Sequence, residues 1–389
     1  MIHRCRTAGV CSSRSGAYRA TSTALATRIR EVTLASGQPG PDATRADRGT
    51  NYKHAARRTV RSMRRLYVWG SISLVLFGLL VWRTRPWEAL ATGADWRPLI
   101  AVVALNGVVI AAWAVRSAWL MAAVGHPLSI LELVPIVSFA NTINNLTPAS
   151  SGEALRAVIL RRRHRVPYGQ STAVILVERL WAIWIMAMSA GAAALGTIVP
   201  AAPAVVVAGW LLALAAIFAP AAAYRLGLRP AELLARLVEP GDDGAPGGRR
   251  RRLAGLLRDV DASLAVILAA PSVALAFVAS TAVIFAAFGA QLWLLLVALG
   301  HDVAFVAVWA ALGIATIAGV VSALPFGFGA TDVVLTAMLA ALGVPAAAAA
   351  AAALLLRATV TLPLGLAGTA SWIALSRGRE PTAAETPER

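Results

Sequence analysis

The sequence predicts an all-α polytopic membrane protein, on the evidence of its composition and of its long apolar runs. Of its 389 residues, 58% are hydrophobic and only 14% are charged, and the mean hydropathy is +0.68. A typical soluble domain is about 45–50% apolar and about 25% charged. Several runs also exceed the roughly 18 apolar residues that a helix needs to cross a bilayer. We predict about six full spans and two re-entrant helical hairpins in an inverted repeat, with eight full spans as the alternative.

The N-terminal segment is strongly basic. Residues 1–65 contain 14 basic and 3 acidic side chains, and serine, threonine and glycine are frequent there. This composition predicts a disordered tail over residues 1–62. A nucleic-acid-binding arm is one interpretation. We favour a cytoplasmic tail that orients the protein and contacts anionic lipid, with no nucleic acid as partner.

The apolar runs follow one another with one long interruption. They lie at residues 66–82, 99–124, 130–147, 172–199, 203–223, 272–299, 303–322 and 346–375. The polar interruption at 224–271 is predicted to be a basic cytoplasmic loop with one or two short surface helices. It separates residues 63–223, which hold the first repeat and the start of the second, from the remainder of the second at 272–376. Residues 377–389 are predicted to be a second disordered tail.

Arginines near the ends of the runs set the predicted orientation. The clustered ones are Arg161, Arg162, Arg163, Arg249, Arg250, Arg251 and Arg252. If every run crossed the bilayer, both clusters would lie outside, against the positive-inside rule. A re-entrant hairpin over 130–163 makes both clusters cytoplasmic, and a second hairpin over 303–342 brings the C-terminus inside as well. We therefore predict cytoplasmic termini and basic clusters that contact anionic lipid. The alanine- and arginine-rich composition favours a bacterial inner membrane.

The two predicted hairpins resemble each other in sequence. The first contains "NNLTPASSGEALRAVILRRR", and the second reads "ALPFGFGATDVVLTAMLAALG". In each, a proline is followed by small residues, a glycine, an acid and a helix. The predicted turn residues are Pro148, Gly152, Pro325, Gly327 and Gly329. Irregular backbone at membrane depth is tolerated only where it is buried in protein or lines a cavity, so these tips predict a polar site.

Ionisable residues inside or against the apolar runs are the candidate functional groups. They are Arg116, Glu153, Glu178, Arg179, Asp332 and Arg357. An unpaired charge at the bilayer centre costs about 2.5–3.5 kcal/mol on insertion scales. These side chains must therefore pair with one another, face water or bind a ligand. Mutual neutralisation in buried pairs is the purely structural alternative to a binding role.

The start of the second arm of the first hairpin is a candidate anion site. Ser150 and Glu153 form a potential capping box, and the free amides of a helix start attract anions. Together with Arg156, Arg179 and Arg357, this start would suit a phosphate, since guanidinium binds phosphate with two hydrogen bonds. The candidate substrate-binding residues are Glu153, Arg156, Glu178, Arg179, Asp332, Arg357, Asn144 and Asn145. The two asparagines share one helical face with Asn141, either for helix packing or as a wall for a headgroup.

These segments resemble a known family. "NNLTPASSGEALRAVIL…VILVERLWAIW" and "LPFGFGATDVVLTAML…LLLRATVTLP" are similar to the transmembrane domain of lysylphosphatidylglycerol synthases and to stand-alone flippase-like relatives, over residues 66–375. In the synthases this domain is associated with moving an aminoacylated phospholipid between leaflets, while a separate cytosolic domain makes that lipid. The resemblance therefore implies translocation without synthesis. The second hairpin is one residue longer than the family pattern, which weakens Asp332 as the counterpart of Glu153.

Two functional classes follow from these features. The first is a lipid translocator whose partner is an anionic phospholipid or a lipid-linked sugar. The second is an ion-coupled carrier of a small polar solute, with Glu153, Glu178 or Asp332 as the proton site. We predict no enzyme, cofactor or metal site, because no Ser–His pair or metal-ligand spacing is present. The sequence leaves a homo-oligomer open.

Overall fold

The computed structural model describes residues 71, 74–91, 95–147, 151–238, 249–322, 324 and 327–377. These residues are overwhelmingly helical and contain no β-strand, which confirms the all-α prediction. Several predicted features lie outside the described residues. They are the tail at 1–62, Pro148, Ser150, Pro325 and residues 378–389.

The helices of the described residues are numbered here in chain order. They are α1 Leu74–Thr84, α2 Pro86–Ala91, α3 Arg97–Ala123, α4 Ile130–Leu146, α5 Ser151–His164, α6 Tyr168–Ala194, α7 Pro203–Arg225, α8 Pro230–Val238, α9 Arg249–Ala269, α10 Pro271–Ala298, α11 Phe305–Ser322, α12 Ala330–Ala341 and α13, which joins Ala346–Leu356, Arg357–Thr361 and Leu362–Arg377. Six of them, α3, α6, α7, α10, α11 and α13, are long and apolar enough to cross a membrane. The chain is a polytopic membrane protein.

These six helices differ in one member from the six predicted full spans. The predicted span at 66–82 is represented in the described residues by α1, which has only 11 residues. The first arm of the second hairpin, α11, has 18 residues and is long enough to cross. In both hairpins the second arm packs against the first, α5 on α4 and α12 on α11. The re-entrant path of each hairpin through the bilayer stays a prediction.

The polar interruption is more structured than predicted. It contains the 9-residue α8, and then α9, whose 21 residues exceed a short surface helix. Helix α9 packs against α6, α7 and α8 and buries Ala254, Val260 and Ile267. Asp261 on the same helix accepts hydrogen bonds from the Tyr224 hydroxyl at 3.2 Å and from Arg229 at 3.3 Å. Apolar packing and this buried carboxylate together fix α9 to the bundle.

The two predicted repeats interlock. Helices α3 and α10 pack along each other, α4 packs on the Leu362–Arg377 half of α13, and α11 packs on the Ala182–Ala194 half of α6. Each first hairpin arm therefore lies against a long helix of the other repeat. A glycine permits each close approach, since a Cβ on Gly313 would overlap Ala190 and one on Gly368 would overlap Thr142. This reciprocal packing supports the internal repeat.

Replacing Gly368 with alanine is expected to destabilise the protein by about 1–3 kcal/mol, the usual cost of overpacking. The added Cβ would overlap Thr142 Oγ1 and lie 2.6 Å from the Ser138 carbonyl oxygen on α4. Gly365→Ala is the matched control on the same helix, because a Cβ there meets no described atom within 4 Å. That control should be neutral or stabilising by up to about 1 kcal/mol. Thermal unfolding in detergent measures both, and equal melting temperatures would contradict the packing of α4 on α13.

Candidate functional site

The long helices α6 and α13 each contain one π-helical turn. These turns span Val177–Trp181 and Arg357–Thr361. A π turn inserts an extra residue into an α-helix and is frequent at functional sites. In the second turn, the Thr359 carbonyl accepts a hydrogen bond from Asn106 Nδ2 at 2.8 Å, so another helix satisfies this backbone group. The intramembrane arginines predicted from the sequence repeat, Arg179 and Arg357, both lie in these turns.

A buried ion pair joins α5 to α6. Arg156 Nη1 contacts Glu178 Oε2, and Arg156 Nη2 donates to Glu178 Oε1 at 3.3 Å. The Ser117 hydroxyl of α3 donates to Glu178 Oε1 at 2.6 Å and accepts from Arg156 Nη2 at 3.1 Å. Arg156 is only 2% exposed and Glu178 only 6%. Ser117 was not predicted from the sequence, where its one signal is its place directly after Arg116 in an apolar run.

A second, more accessible pair extends this network. Arg179 Nε donates to Glu153 Oε1 at 2.5 Å, and Arg179 Nη2 donates to Asn141 Oδ1 at 3.0 Å. Asn144 Nδ2 also donates to Glu153 Oε1, at 2.8 Å. The Arg179 side chain is 40% exposed, which makes it the most accessible member of the network. Asn145 is exposed and makes no described hydrogen bond, so the predicted polar face contributes Asn141 and Asn144 to the network but not Asn145.

Close packing of the first hairpin sets this geometry. A Cβ on Gly152 would overlap the Ala140 carbonyl oxygen and lie 2.7 Å from Asn144 Oδ1. The absence of a side chain at this position therefore lets α5 approach α4 near its start. That approach brings Glu153 within hydrogen-bonding distance of Asn144. Gly152 was predicted as a turn residue; it lies instead in the first turn of α5, where the two arms meet.

Arg116 adds a third guanidinium group at this site. Its Nη1 donates to Thr281 Oγ1 at 3.2 Å, and its guanidinium carbon lies 5.4 Å from the centroid of the Phe277 ring. Its Nε has no hydrogen-bond partner among the described residues. We name the first charge cluster as Arg116, Glu153, Arg156, Glu178 and Arg179. With three arginines and two glutamates, this cluster has one more positive than negative side chain.

The second charge cluster is formed by Asp332 and Arg357. Arg357 Nε donates to Asp332 Oδ1 at 3.0 Å and Nη2 donates to Oδ2 at 3.2 Å, while the guanidinium lies 4.6 Å from the Phe328 ring centroid. Asp332 Oδ2 also accepts from the backbone amide of Gly329 at 3.0 Å, which caps α12. Gly327 and Gly329 have φ angles of 60° and 83°, which a side chain would disfavour.

The two clusters repeat one pairing. Glu153 pairs with an arginine 26 residues later, and Asp332 pairs with one 25 residues later. The longer second hairpin therefore does not prevent Asp332 from matching Glu153. The predicted gathering of Arg156, Arg179 and Arg357 around one helix start is replaced by three ion pairs, because each arginine is bound to a carboxylate near it in the fold. Arg156, Arg179 and Arg357 are thus each neutralised by a carboxylate, and the positive charge of Arg116 is in excess of these pairs.

The predicted lipid-contacting arginines fall into two groups. Arg161, Arg162, Arg251 and Arg252 are exposed, as a surface role requires. Arg163 is half-buried and donates to the Leu375 carbonyl near the end of α13, so it also holds two helix ends together. The side chains of Arg249 and Arg250 lie outside the described residues. In the described part of the chain, no group of three or more His, Cys, Asp or Glu side chains has metal-site geometry.

A family model described as the lysylphosphatidylglycerol synthase TM region matches residues 68–368. The chain belongs to this family. The matched range includes both charge clusters and both π-helical turns, and it covers the transmembrane region without a synthetase domain. Membership of the lysylphosphatidylglycerol synthase TM family makes this a membrane protein related to lipid handling. No curated protein matches the chain.

Proposed function

We propose that this protein is a lipid translocator, which moves the headgroup of a phospholipid or a lipid-linked sugar between leaflets. The observation that carries the proposal is the first charge cluster, which holds a surplus guanidinium inside an apolar bundle and presents Arg179 at its accessible edge. A surplus cation at membrane depth is costly unless an anion joins it. A lipid phosphodiester carries one negative charge and would neutralise the cluster. Membership of the lysylphosphatidylglycerol synthase TM family supports the same proposed function.

The contacts of Glu153 supply a mechanism for exchange. Its Oε2 lies 4.0 Å from Arg156 Nη1 and has no hydrogen-bond partner among the described residues. When a phosphate binds Arg179 with two hydrogen bonds, Glu153 can turn from Arg179 towards Arg156. The carboxylate thus remains paired whether the cluster is empty or loaded. Arg179 is the group that binds and releases the cargo.

The second cluster would provide the corresponding step in the other repeat. Arg357 lies in a matching π-helical turn, and Asp332 takes the place of Glu153. The headgroup would pass between the two hairpins while the acyl chains stay in the bilayer, because only the headgroup is too polar for hydrocarbon. We place this activity in a bacterial inner membrane, with both termini in the cytoplasm. We assign no catalytic step, since each carboxylate of the two charge clusters (Glu153, Glu178 and Asp332) is bound by a guanidinium group.

A second candidate function is an ion-coupled carrier of a small polar solute. Glu153 Oε2 favours it as a proton site, because this oxygen accepts no hydrogen bond from the described residues and has Arg156 Nη1 only at 4.0 Å. This function predicts uptake of a water-soluble substrate driven by a pH gradient. It also predicts that the acyl chains of added lipids make no difference.

The test is lipid exchange in vesicles reconstituted with the purified protein. Headgroup-labelled phosphatidylglycerol, lysylphosphatidylglycerol and phosphatidylethanolamine are placed in the vesicles, and a membrane-impermeant quencher reports the labelled lipid in the outer leaflet over time. We expect faster exchange than in protein-free vesicles for at least one of these lipids. Exchange at the protein-free rate for all three, with or without a pH gradient, would refute phospholipid translocation.

A further inference from the structure

An open surface groove of about 390 Å³ lies outside both charge clusters. Its lining comes from the end of α5, the start of α6 and the first half of α9, and includes Arg161, Tyr168, Arg252 and Asp259. We call it the basic groove. Its volume is within the range of about 300–1,000 Å³ that is usual for small-molecule sites.

The lining of the basic groove contains one arginine from each of two runs, 161–163 and 249–252, that lie far apart in the sequence. Arg161 belongs to the arginine run at 161–163 and Arg252 to the run at 249–252. Both residues are exposed, and both line the groove. Their neighbours Arg162 and Arg251 are also exposed but do not contribute to the lining. The fold therefore places one arginine from each of these two runs in the lining of one groove.

The start of α6 adds hydrogen-bond donors to this space. Pro167 precedes the helix and offers no side-chain cap, and the first helical hydrogen bond runs from the Ser171 amide to the Pro167 carbonyl at 3.0 Å. The amides of the preceding three residues, including Tyr168 and Gly169, thus have no acceptor within the helix.

Asp259 limits the charge of the groove. A Cβ on Gly169 would lie 2.5 Å from Asp259 Cβ, so the glycine lets α9 approach the start of α6 closely. The charged side chains of the lining are then two arginines and one aspartate, with one surplus positive charge. A phosphodiester carries one negative charge, and arginine binds its oxygens with paired hydrogen bonds.

We propose that the basic groove binds the phosphate group of an anionic lipid headgroup, at a site separate from the two charge clusters. Two guanidinium groups and the helix start would hold the phosphate oxygens. The exposed Tyr168 ring beside them would contact the rest of the headgroup. Lipid bound here is held at the protein surface and need not be the cargo.

The test compares two double variants with the same change in charge. Arg161→Gln with Arg252→Gln removes both groove arginines. Arg162→Gln with Arg251→Gln also removes one arginine from each of the two arginine runs, but at positions that do not line the groove. Native mass spectrometry of the full chain in detergent measures bound phosphatidylglycerol at several lipid concentrations. We expect the groove variant to bind roughly tenfold more weakly or worse, as for lost hydrogen bonds to a charged group. The matched variant loses only surface contact with lipid and should lose clearly less affinity.

Two further measurements distinguish the outcomes. Asp259→Asn should tighten phosphatidylglycerol binding, because it removes the negative charge from the groove. Inorganic phosphate added as a competitor separates the sources of the ligand: if it displaces the lipid through the same two arginines, the phosphate site stands and also accepts soluble phosphate. Equal losses in the two double variants, or binding no stronger than that of phosphatidylcholine, would overturn the proposal. Neither result depends on lipid exchange, so the proposed function is tested separately.

Discussion

Replacing Glu178 with leucine is expected to lower the free energy of unfolding by about 3–5 kcal/mol, the usual penalty for leaving one partner of a buried ion pair unmatched. Glu178 is the carboxylate that holds the buried Arg156, and it also accepts from Ser117. Without it, the Arg156 charge would remain in the interior with only Glu153, at 4.0 Å, as a nearby anion. Thermal unfolding and the yield of folded protein in detergent measure the effect.

Two controls give this result its meaning. Glu88→Leu removes an exposed glutamate whose pair with Arg85 is solvated, and it should change stability by less than about 1 kcal/mol. Combining Glu178→Leu with Arg156→Met removes both charges and should recover much of the lost stability, because no unpaired charge remains. A double variant as unstable as Glu178→Leu alone would mean that the Arg156 charge is not the cause of the loss.

Replacing Arg179 with glutamine is expected to have the largest effect on lipid exchange. Its guanidinium is the accessible member of the first charge cluster, with 40% of the side chain exposed. Loss of hydrogen bonds to a charged group is worth about 1.5–3 kcal/mol, so exchange should slow by roughly 10- to 150-fold. Stability should change much less than in Glu178→Leu, since Glu153 keeps its hydrogen bond from Asn144. The quencher assay in reconstituted vesicles measures the rate.

The matched variants separate charge from geometry at this position. Arg179→Lys keeps the positive charge but loses the planar pair of donors, so its rate should lie between those of the unmodified protein and Arg179→Gln. Arg162→Gln removes an exposed arginine from another surface and should leave the exchange rate unchanged. If Arg179→Gln exchanged lipid as fast as the unmodified protein, Arg179 would have no part in cargo binding.

The candidate site shows where reasoning from the sequence reached its limit. Charged residues in apolar runs stand out in a linear sequence, so Glu178, Arg179 and Arg357 were found without a structure. Which carboxylate pairs with which arginine depends on the distances between them in the folded protein. Arg156 was expected to act beside Arg179, yet it lies against Glu178, because α3, α5 and α6 meet there and bring Ser117 to the same place. A serine in an apolar run carries no comparable signal.

The sequence by itself determined the class of protein, the family resemblance, the sequence repeat and the charged residues within the apolar runs, although not the buried Asp261. Each of these depends on residue type or on local spacing, since hydrocarbon accepts only apolar helices and makes every charge conspicuous. Only the tertiary structure decided which acid faces which arginine, which first arm packs on which long helix, and that Arg161 and Arg252 share one groove. These arrangements depend on contacts between segments far apart in the chain, whose geometry is set by the packing of whole helices and not by the residues beside them.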